Sequence, residues 1–508
     1  MSGMVIGIDI GTGGTRAVLI DERGNVVASA THEHVPFASP QNGWAEQDPH
    51  DWWHACKQAL RKLIRENTVH PGEVAAVGLT GQMHGAVLLD ENDEVLRPAL
   101  IWCDQRTGEE CRLLNETIGE RRLVELTSNP ALTNFTLTKL MWVRTHEPEI
   151  WKRFRRFLLP KDYVRLQLTG VHAIDVAEAS GTLLLDVARR RWSQEMLDAT
   201  GLHASILPEL FESPEVVGKI TARAAEETGL NAGTPVVAGA GDQAAGAVGM
   251  GIVRAGDVSA TIGTSGVVFA ATSQPFIDPR GRLHTFCHAI PGRWHVMGVT
   301  QAAGLSFRWF RDTFGVAARD AALAEIDPYD DLTKEAAAIP PGSDGVIWTP
   351  YLMGERTPHV DPDVRAALIG LSASHGRGHI IRAILEGVAF SLKDTLTIFA
   401  ELGVPVRDIR LGGGGARSPL WRQIQADIYG KTVSLLAAEE GAAYGAAVLA
   451  GVGAGLWTSV DEACAQIVRV ASTVAPEPAV TAKLQQQYKA YRAVYPALKQ
   501  IREAASAS

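Results

Sequence analysis

Two short glycine-containing stretches, about 250 residues apart, follow one pattern, and they constrain the fold of this chain more than any other feature. The first reads IGTGG at 10–14 and the second reads IGTSG at 262–266, with an apolar run on each side of both. Apolar runs interrupted by a short glycine turn are typical of β-hairpins. We therefore predict one hairpin near the start of each half, and two domains that share an internal plan.

The first glycine loop does not fit the two common nucleotide-binding loops. A dinucleotide-binding loop follows G-x-G-x-x-G and opens a helix, but here Arg16 stands at the third glycine position and TRAVLI continues as a strand. A P-loop ends in Gly-Lys-Ser or Gly-Lys-Thr, and this stretch contains no lysine. The loop is therefore predicted to join two strands of a hairpin.

The remaining pattern predicts an α/β protein. The 508 residues exceed what one core usually holds, and strand-like runs alternate with helix-like runs in both halves. In the second half, DIRL leads into the glycines Gly412–Gly415, and a helix is predicted to begin there with Ser418 as its N-cap. We predict two layered sheets, with domains at residues 1–249 and 250–508.

Charge, hydropathy and cysteine usage limit the partners. The formal net charge of −9 argues against a nucleic-acid binder, which usually carries a basic patch. No apolar run approaches the ~20 residues of a membrane span, and the N-terminus enters a strand without a leader-like segment. The five scattered cysteines form no C-x-x-C pair, which fits a reducing compartment. We expect a cytoplasmic protein with no nucleic-acid or membrane partner.

The glycine loops are suited to binding an anion. Glycines present backbone N–H groups without side chains in the way, and the Gly412–Gly415 loop also precedes a helix N-terminus. Hydroxyl groups lie in or beside the two hairpin loops at Thr12, Thr15, Thr264 and Ser265. If the two hairpin loops face each other, a polyphosphate can lie between them.

Three polar residues are candidates for chemistry, each with a structural alternative. Asp9 ends an apolar strand, where it could hold hydrated Mg²⁺ or simply cap the turn. Asp242 opens a helix of small residues and could be its N-cap or a catalytic base. His84, in GQMHG, could be a core histidine or a group projected from a loop.

With these motifs in view, the sequence resembles the FGGY family of carbohydrate kinases from about residue 4 to 455. IGIDIGTGGTRAVLID (6–21) resembles the family's first phosphate motif, and GGGGARSPLWRQIQAD (412–427) its adenosine-side motif. Four stretches are similar to family members that act on D-xylulose: GWAEQDPHDWW (43–53), GLTGQMHGAVLLD (78–90), IWCDQRT (101–107) and LPKDYVRLQLTG (159–170). AALIGLSASHGRGHIIRAILEG (366–387) resembles the second family signature, and EEGAAYGAAVLAG (439–451) resembles the closing helix of the family. FTLTKLMW (135–142) stands where the family's lysine signature is expected, although its start departs from the usual pattern.

The resemblance implies two ribonuclease-H-like domains of the sugar kinase, actin and chaperone superfamily, with a cleft between them. It implies that Asp242 is the catalytic base and that Asp9 acts in catalysis beside the metal and phosphates. The residues expected to bind substrate are Gln82, Met83, His84, Trp102, Asp104 and Asp242, with Trp44 as a further apolar candidate. The residues expected to bind ATP are Gly11, Thr12, Gly13, Thr15, Arg16, Gly263, Thr264, Ser265, Gly413, Gly414 and Ala416.

The implied activity is transfer of the ATP γ-phosphate, with Mg²⁺, to the terminal hydroxyl of D-xylulose. Two alternatives remain at this stage. A relative could act on ribulose, gluconate, glycerol or a tetritol, because acceptor choice can depend on one or two contacts. An actin-like or chaperone-like ATPase would share the phosphate hairpins but would hydrolyse ATP without an acceptor. Many members of the family are dimers, so a homodimer is also expected.

Overall fold

The computed structural model describes residues 3–66, 69–314, 328–437 and 441–506. The chain forms two compact units. The first comprises Met1–Arg254, Ala271–His295 and Ala438–Val468, and the second comprises Ala255–Ala270, Val296–Ala437 and Arg469–Ser508. Both units are therefore built from separate stretches of the chain, whereas the predicted division at residues 249 and 250 is contiguous.

The described residues form an α/β structure throughout. The strands are Met4–Ile10 (β1), Gly14–Ile20 (β2), Val26–Glu33 (β3), Glu46–Gln47 (β4), Val74–Gly81 (β5), Val87–Leu89 (β6), Ala99–Leu100 (β7), Arg156–Leu158 (β8), Ala173–Asp175 (β9), Leu185–Asp186 (β10), Arg191–Trp192 (β11), Glu209–Phe211 (β12), Val216–Lys219 (β13), Pro235–Val237 (β14), Ala240–Gly241 (β15), Asp257–Ile262 (β16), Gly266–Thr272 (β17), His284–Cys287 (β18), Trp294–Thr300 (β19), Ile347–Thr349 (β20), Ala367–Ile369 (β21), Asp408–Gly413 (β22), Val433–Leu436 (β23) and Val470–Val474 (β24).

The helices alternate with these strands. The α-helices are Pro49–Glu66, Gly108–Ile118, Glu120–Thr127, Thr136–His146, Pro148–Arg153, Pro160–Thr169, Val176–Ser180, Gln194–Thr200, Ala222–Thr228, Asp242–Gly249, Ala303–Phe314, Pro328–Ala337, Arg377–Leu402, Pro419–Tyr429, Gly441–Gly453, Val460–Ile467 and Pro478–Ser506. Short 3₁₀ helices are Pro71–Glu73, Ala204–Ile206, Ser343–Gly345 and Gly414–Ala416. Within the described ranges, no helix is long and apolar enough to cross a membrane.

Both predicted hairpins are present. β1 and β2 pair antiparallel in the first unit, and β16 and β17 pair antiparallel in the second. In each unit the first hairpin strand also pairs in parallel with a later strand, β1 with β5 and β16 with β22. The sheets share the arrangements β5-β1-β2-β3 and β22-β16-β17-β19. The shared internal plan and the predicted α/β class are confirmed.

The sheet of the first unit is covered by the helix Gly441–Gly453, which we call the closing helix. This helix contains all but the first two residues of the EEGAAYGAAVLAG motif, and those two lie outside the described residues. A Cβ built on Gly7 would lie 1.8 Å from the carbonyl oxygen of Ala443, and one on Gly78 would lie 2.1 Å from that of Ala446. Side chains at these glycines would therefore prevent the helix from reaching β1 and β5.

The glycine loop of the second unit leads into a helix as predicted. β22 ends at Gly413, and the 3₁₀ helix Gly414–Ala416 follows. The helix Pro419–Tyr429 then begins, with the Ser418 hydroxyl accepting a hydrogen bond from the amide of Trp421 at 3.3 Å. The predicted N-cap is therefore confirmed.

Candidate active site

The candidate site of the first unit is formed where three parallel strands end side by side. In the register, Asp9 of β1 and Ala240 of β15 both pair with Thr80 of the central strand β5. The residues that follow the ends of β5 and β15 are Gln82 and Asp242. The carboxyl ends of neighbouring parallel strands share one sheet edge, so the topology brings the predicted base and sugar residues to the same edge as Asp9.

The loop of the first hairpin is narrow and its tip is open. The amide of Gly11 donates to the carbonyl oxygen of Gly14 at 3.0 Å, which closes the turn. A Cβ built on Gly13 would meet no atom within 4 Å, so an anion has room at the tip. The Thr15 hydroxyl is instead buried and lies 2.8 Å from Nε2 of His34, where it anchors the base of the loop.

Asp9 has an unsatisfied carboxylate oxygen. Its Oδ1 is buried and accepts no hydrogen bond from any described residue. The pKa of Asp9 is raised to about 7, mainly by burial and in addition by the negative charge of Asp242, while the Arg16 guanidinium opposes the shift. A lone carboxylate oxygen of this kind is a site where a cation would be stabilised.

Asp242 is the first residue of the helix Asp242–Gly249, whose N-cap is Gly241. Its Oδ1 accepts the amide hydrogen of Gln243 at 2.7 Å. Burial raises the pKa of Asp242 to about 6, and the hydrogen bonds from Gln243 oppose this shift. A carboxylate with this pKa is ionised at neutral pH and is more basic than an exposed aspartate.

Two buried cationic side chains hold the backbone segment that precedes Asp242. Lys161 and Arg165, on the helix Pro160–Thr169, both donate to the carbonyl oxygen of Ala238, at 3.2 and 2.5 Å. Lys161 is 2.5 Å from Asp162 and 2.7 Å from Asp175, so its buried charge is paired. These contacts hold the backbone that leads into β15 and Asp242.

The predicted sugar residues occupy the turn after β5, which we call the sugar loop (residues 82–85). The Gln82 amide donates to the carbonyl oxygen of Ile10, and its side-chain Nε2 donates to Oε1 of Gln47 at 2.8 Å. A Cβ on Gly241 would lie 2.8 Å from Cγ of Met83, so Met83 packs against the residue that precedes Asp242.

His84 has a constrained backbone and a fixed ring. Its φ is 69°, in the left-handed region that few non-glycine residues occupy. Its Nδ1 lies 2.8 Å from the carbonyl oxygen of Gly181. Because a carbonyl oxygen can only accept, Nδ1 carries a hydrogen, and in the neutral ring Nε2 is then an acceptor.

The IWCDQRT segment contains two predicted substrate residues, of which Trp102 is exposed and Asp104 is buried. Trp102 is 41% exposed, and its Nε1 donates to the Thr12 hydroxyl of the first hairpin at 2.9 Å. Asp104 is fully buried, and its carboxylate accepts hydrogen bonds from Arg106 Nη2 and the Ala45 amide, both at 2.7 Å. Asp104 therefore holds this segment together, and its direct contact with substrate stays a prediction.

Trp44 has a packing role. The Arg106 guanidinium lies 3.6 Å from the centre of its ring, close enough for a cation–π contact.

Gln47 is a residue of this site that the sequence pattern did not single out. It is buried, and its Nε2 donates to the carbonyl oxygen of Thr12 at 2.8 Å. Its Oε1 accepts from Gln82 at 2.8 Å and from Trp52 Nε1 at 3.2 Å. One amide thus ties the first hairpin loop to the sugar loop. The only local signal was a polar residue in the GWAEQDPHDWW motif.

The second unit contains a cavity of about 290 Å³ beside its own hairpin loop. Gly263 and Thr264 line it together with Gly414. The predicted residues Ser265 and Gly413 adjoin Thr264 and Gly414 in the chain, and Ala416 adjoins the lining residue Gly415. Close packing of the loops requires glycine at Gly413, where φ is 71° and a Cβ would lie 2.5 Å from the carbonyl oxygen of Ile262.

The same cavity has aromatic walls that the sequence analysis missed. The rings of Phe307 and Tyr329 are 5.1 Å apart, and those of Phe307 and Trp421 are 5.8 Å apart, centre to centre. Arg308, Asp330 and Arg417 add polar groups to the lining. A pocket with flat apolar walls and glycine loops at one end fits a heteroaromatic ring that carries phosphates.

Known proteins match this chain over most of its length. The FGGY family of carbohydrate kinases matches through its N-terminal domain at residues 4–249 and its C-terminal domain at residues 258–454. Xylulose kinase of Bacillus subtilis (strain 168) is 39% identical over 500 residues, 98% of each chain. Gluconokinase of the same organism is 33% identical over 453 residues, 88% of this chain and 87% of that protein. The solved structure of xylulose kinase from Rhodospirillum rubrum gives a TM-score of 0.90 at 31% identity, covering 98% of this chain and 99% of that one.

Proposed function

The chain belongs to the FGGY family of carbohydrate kinases, and on that premise we propose that it transfers the γ-phosphate of ATP to the terminal hydroxyl of D-xylulose, yielding D-xylulose 5-phosphate. One observation carries the proposal. In a chain 39% identical to a xylulose kinase, β1, β5 and β15 bring Asp9, Asp242 and the sugar loop to one sheet edge. This arrangement supports an acceptor alcohol beside a base and a phosphate loop.

Asp242 is the proposed base. The acceptor hydroxyl gives its proton to the Asp242 carboxylate while its oxygen bonds to the γ-phosphorus, and the bond from that phosphorus to the β,γ-bridging oxygen breaks to release ADP. Phosphoryl transfer requires mainly positioning and charge stabilisation, so the carboxylate also orients the hydroxyl. Its pKa of about 6 supports this role, because the group is ionised at pH 7 and retains basicity.

The sugar loop is proposed to bind the acceptor. Nε2 of His84 is an acceptor in the neutral ring, so it can receive a hydrogen bond from a sugar hydroxyl. Gln82 lies next to it in the chain and adds an amide. Trp102, which is 41% exposed, supplies an apolar ring face. We assign the predicted sugar-binding role of residues 1–249 to these groups.

The glycine loops and the aromatic cavity are proposed to bind ATP. The first hairpin loop, with Gly11, Thr12 and Gly13, offers amides and a hydroxyl to phosphate oxygens. In the second unit, the cavity near Gly263, Thr264 and Gly414 would take the adenosine part, in line with the predicted nucleotide-binding role of residues 250–508.

Mg²⁺ is the proposed metal, and the residues present fit it. Asp9 would hold the ion through its buried Oδ1, which accepts no hydrogen bond from the described residues. Among those residues no group of three or more His, Cys, Asp and Glu side chains forms a metal cage. Mg²⁺ that is carried on substrate phosphates needs only one or two protein carboxylates. When bound, the ion would neutralise charge on the phosphoryl group.

A panel assay tests the acceptor. ADP release would be measured with D-xylulose, ribulose, gluconate, glycerol, a tetritol and no acceptor. We expect the highest kcat/KM with D-xylulose and a product that phosphorus NMR identifies as the 5-phosphate. Gluconate is the second candidate, because a gluconokinase is 33% identical to this chain. A higher kcat/KM with gluconate, or ADP release without an acceptor, would contradict the proposal.

The cytoplasmic location and the homodimer stay predictions.

A further inference from the structure

Lys139 carries a buried amine that the proposed chemistry does not use. It lies on the helix Thr136–His146, and its side chain is fully buried. Its Nζ donates to the carbonyl oxygen of His84 at 2.9 Å and to the carbonyl oxygen of Asn134. The amine thus contacts the backbone of the sugar loop, 55 residues away in the chain.

The carbonyl group that accepts from Lys139 belongs to His84, whose backbone conformation is strained. His84 adopts a φ of 69°, a conformation that costs a non-glycine residue free energy and needs support from its surroundings. A second donor, the Thr136 hydroxyl, reaches the same carbonyl oxygen at 3.2 Å. The ring is held separately, by Nδ1 at the Gly181 carbonyl and by an edge contact with Phe135 at 5.0 Å.

Burying a lysine amine at this position costs desolvation free energy, which packing alone does not require. Burial lowers the pKa of Lys139 to about 7, and the charge of Asp104, which is the largest opposing influence, is already bonded to Arg106. A methionine would fill a similar volume without burying a polar group. Both the ammonium and the neutral amine retain at least two N–H groups, which matches the two carbonyl acceptors.

We propose that Lys139 is a positioning residue for the acceptor sugar. Its amine fixes the His84 carbonyl, which holds the left-handed backbone and so directs the imidazole toward a sugar hydroxyl. The inference rests on the proposed sugar kinase activity. It predicts that losing the amine weakens acceptor binding and leaves nucleotide binding intact, because the aromatic cavity of the second unit contains neither residue.

Lys139→Met is the test variant, since it keeps the volume and removes both hydrogen bonds. With saturating ATP, we expect the KM for D-xylulose to rise at least ~10-fold. The KM for ATP should stay within about twofold of the wild-type value. Direct titration with the sugar alone should show a matching rise in Kd.

Two further variants keep the test decisive. Thr136→Val removes the second donor to the same carbonyl with little change in shape, so a smaller rise in the sugar KM, about threefold, is expected even if Lys139→Met fails to fold. Lys393→Met is the matched control. It also removes a lysine amine that donates to a main-chain carbonyl, that of Ile428, but in the second unit. It should lower the melting temperature and leave the sugar KM unchanged.

Equal rises in the KM for sugar and for ATP would overturn the inference. So would a lower melting temperature with both KM values unchanged in the Lys139 and Thr136 variants. These outcomes are separate from failure of the proposed function, which wild-type protein alone would reveal through the acceptor panel. If the wild type prefers another sugar, the same comparison is made with that sugar.

Discussion

At the residue scale, the carboxylate of Asp242 is the group whose removal should affect phosphoryl transfer most directly. Replacing it with Asn removes the proposed proton acceptor but keeps the shape and the hydrogen bond to Gln243. We expect Asp242→Asn to lower kcat by ~10³-fold or more while the Kd for ATP stays near the wild-type value. Single-turnover kinetics and nucleotide titration measure the two quantities. Turnover near the wild-type rate would contradict the assignment of the base.

The pH dependence of catalysis follows from the same group. Because the pKa of Asp242 is raised to about 6, the fraction of ionised base should fall as the pH drops below 7. We expect kcat/KM for the sugar to decline on the acid side with a midpoint near pH 6, measured at a fixed, saturating ATP concentration. An acid limb centred near pH 4, the ordinary range for aspartate, would argue against the buried base.

Stability should respond to Asp242 in the opposite sense to activity. A folded-state pKa of about 6, above the ordinary value of 3.8, means that the folded protein binds the proton more tightly than the unfolded chain. The stabilisation that comes from this tighter proton binding at Asp242 is full below pH 4 and is lost as the pH rises through about 6. Asp242→Asn should therefore be more stable than the wild type at pH 8, by on the order of 1 kcal/mol, with a smaller difference at pH 5. Thermal melts at both pH values provide the test.

Gln47 is expected to affect both loops that it joins. Gln47→Leu removes the hydrogen bonds to Thr12 and Gln82, and we expect kcat/KM to fall by about 10–100-fold. Gln47→Glu keeps an acceptor for Gln82 but cannot donate to the Thr12 carbonyl, so an intermediate loss is expected. Gln167→Leu is the control, since Gln167 bonds to Arg223 outside this site. Equal kinetics for all three variants would make Gln47 a packing residue.

The residues found from sequence and those missed differ in the range of their contacts. Asp9 stands near the end of a strand, Asp242 at the start of a helix and His84 in a turn, and a local pattern is enough to reveal them. Gln47 and Lys139 act across 35 and 55 residues of chain, so local spacing does not show what they contact, although Lys139 stands in the FTLTKLMW stretch (135–142) that the family resemblance marks. Their partners depend on how helices and strands come together, which a single sequence does not specify.

At the element scale, the hairpins and the capped helix were predictable because each is a local structure. A glycine turn between apolar runs specifies a hairpin, and Ser418 before Pro419 specifies a helix start. The aromatic cavity was not predictable, because Phe307, Tyr329 and Trp421 come from three separate elements. Their spacing along the chain has no period that a helix or strand would show.

The cavity offers a variant that blocks a site without disturbing the fold. A Cβ on Gly414 would meet only one atom within 4 Å, the carbonyl oxygen of Ile262 at 3.8 Å. Gly414→Leu should therefore extend into the cavity, raise the KM for ATP about 10-fold or more, and leave the sugar Kd unchanged. Steady-state kinetics and a sugar titration measure these effects. An unchanged KM for ATP would exclude the cavity as the nucleotide site.

The closing helix is expected to tolerate no added methyl group at its contact with the helix Asp242–Gly249. A Cβ on Gly445 would lie 1.8 Å from the carbonyl oxygen of Ala245. Gly445→Ala should destabilise the protein by more than about 2 kcal/mol or prevent folding, although alanine favours helices. Gly108→Ala is the control, because a Cβ there meets no atom within 4 Å. Similar melting temperatures for the two variants would contradict the close packing.

At the scale of the whole molecule, the chain-order division into residues 1–249 and 250–508 differs from the two compact units. The closing helix follows most of the second unit in the chain but packs on β1 and β5 of the first. Its small residues indicate a close approach to some surface, and periodicity alone does not say which one. The pairing follows from the complementary glycines Gly7 and Gly78, which only the folded register brings opposite the helix.

This discontinuity predicts how fragments of the chain behave. Residues 1–254 alone lack the closing helix and would expose apolar residues of the sheet such as Val5, Val18 and Ala76, which are fully buried in the intact chain. Each buried aliphatic side chain contributes roughly 1.5–3 kcal/mol, so losing the cover of a whole sheet face exceeds the stability of a typical domain. We expect the fragment to aggregate or to bind a hydrophobic dye. A fusion that adds residues 271–295 and 438–468 through flexible linkers should instead stay free of aggregates and unfold cooperatively. Cooperative unfolding of residues 1–254 without the added segments would show that the closing helix is dispensable for the first unit.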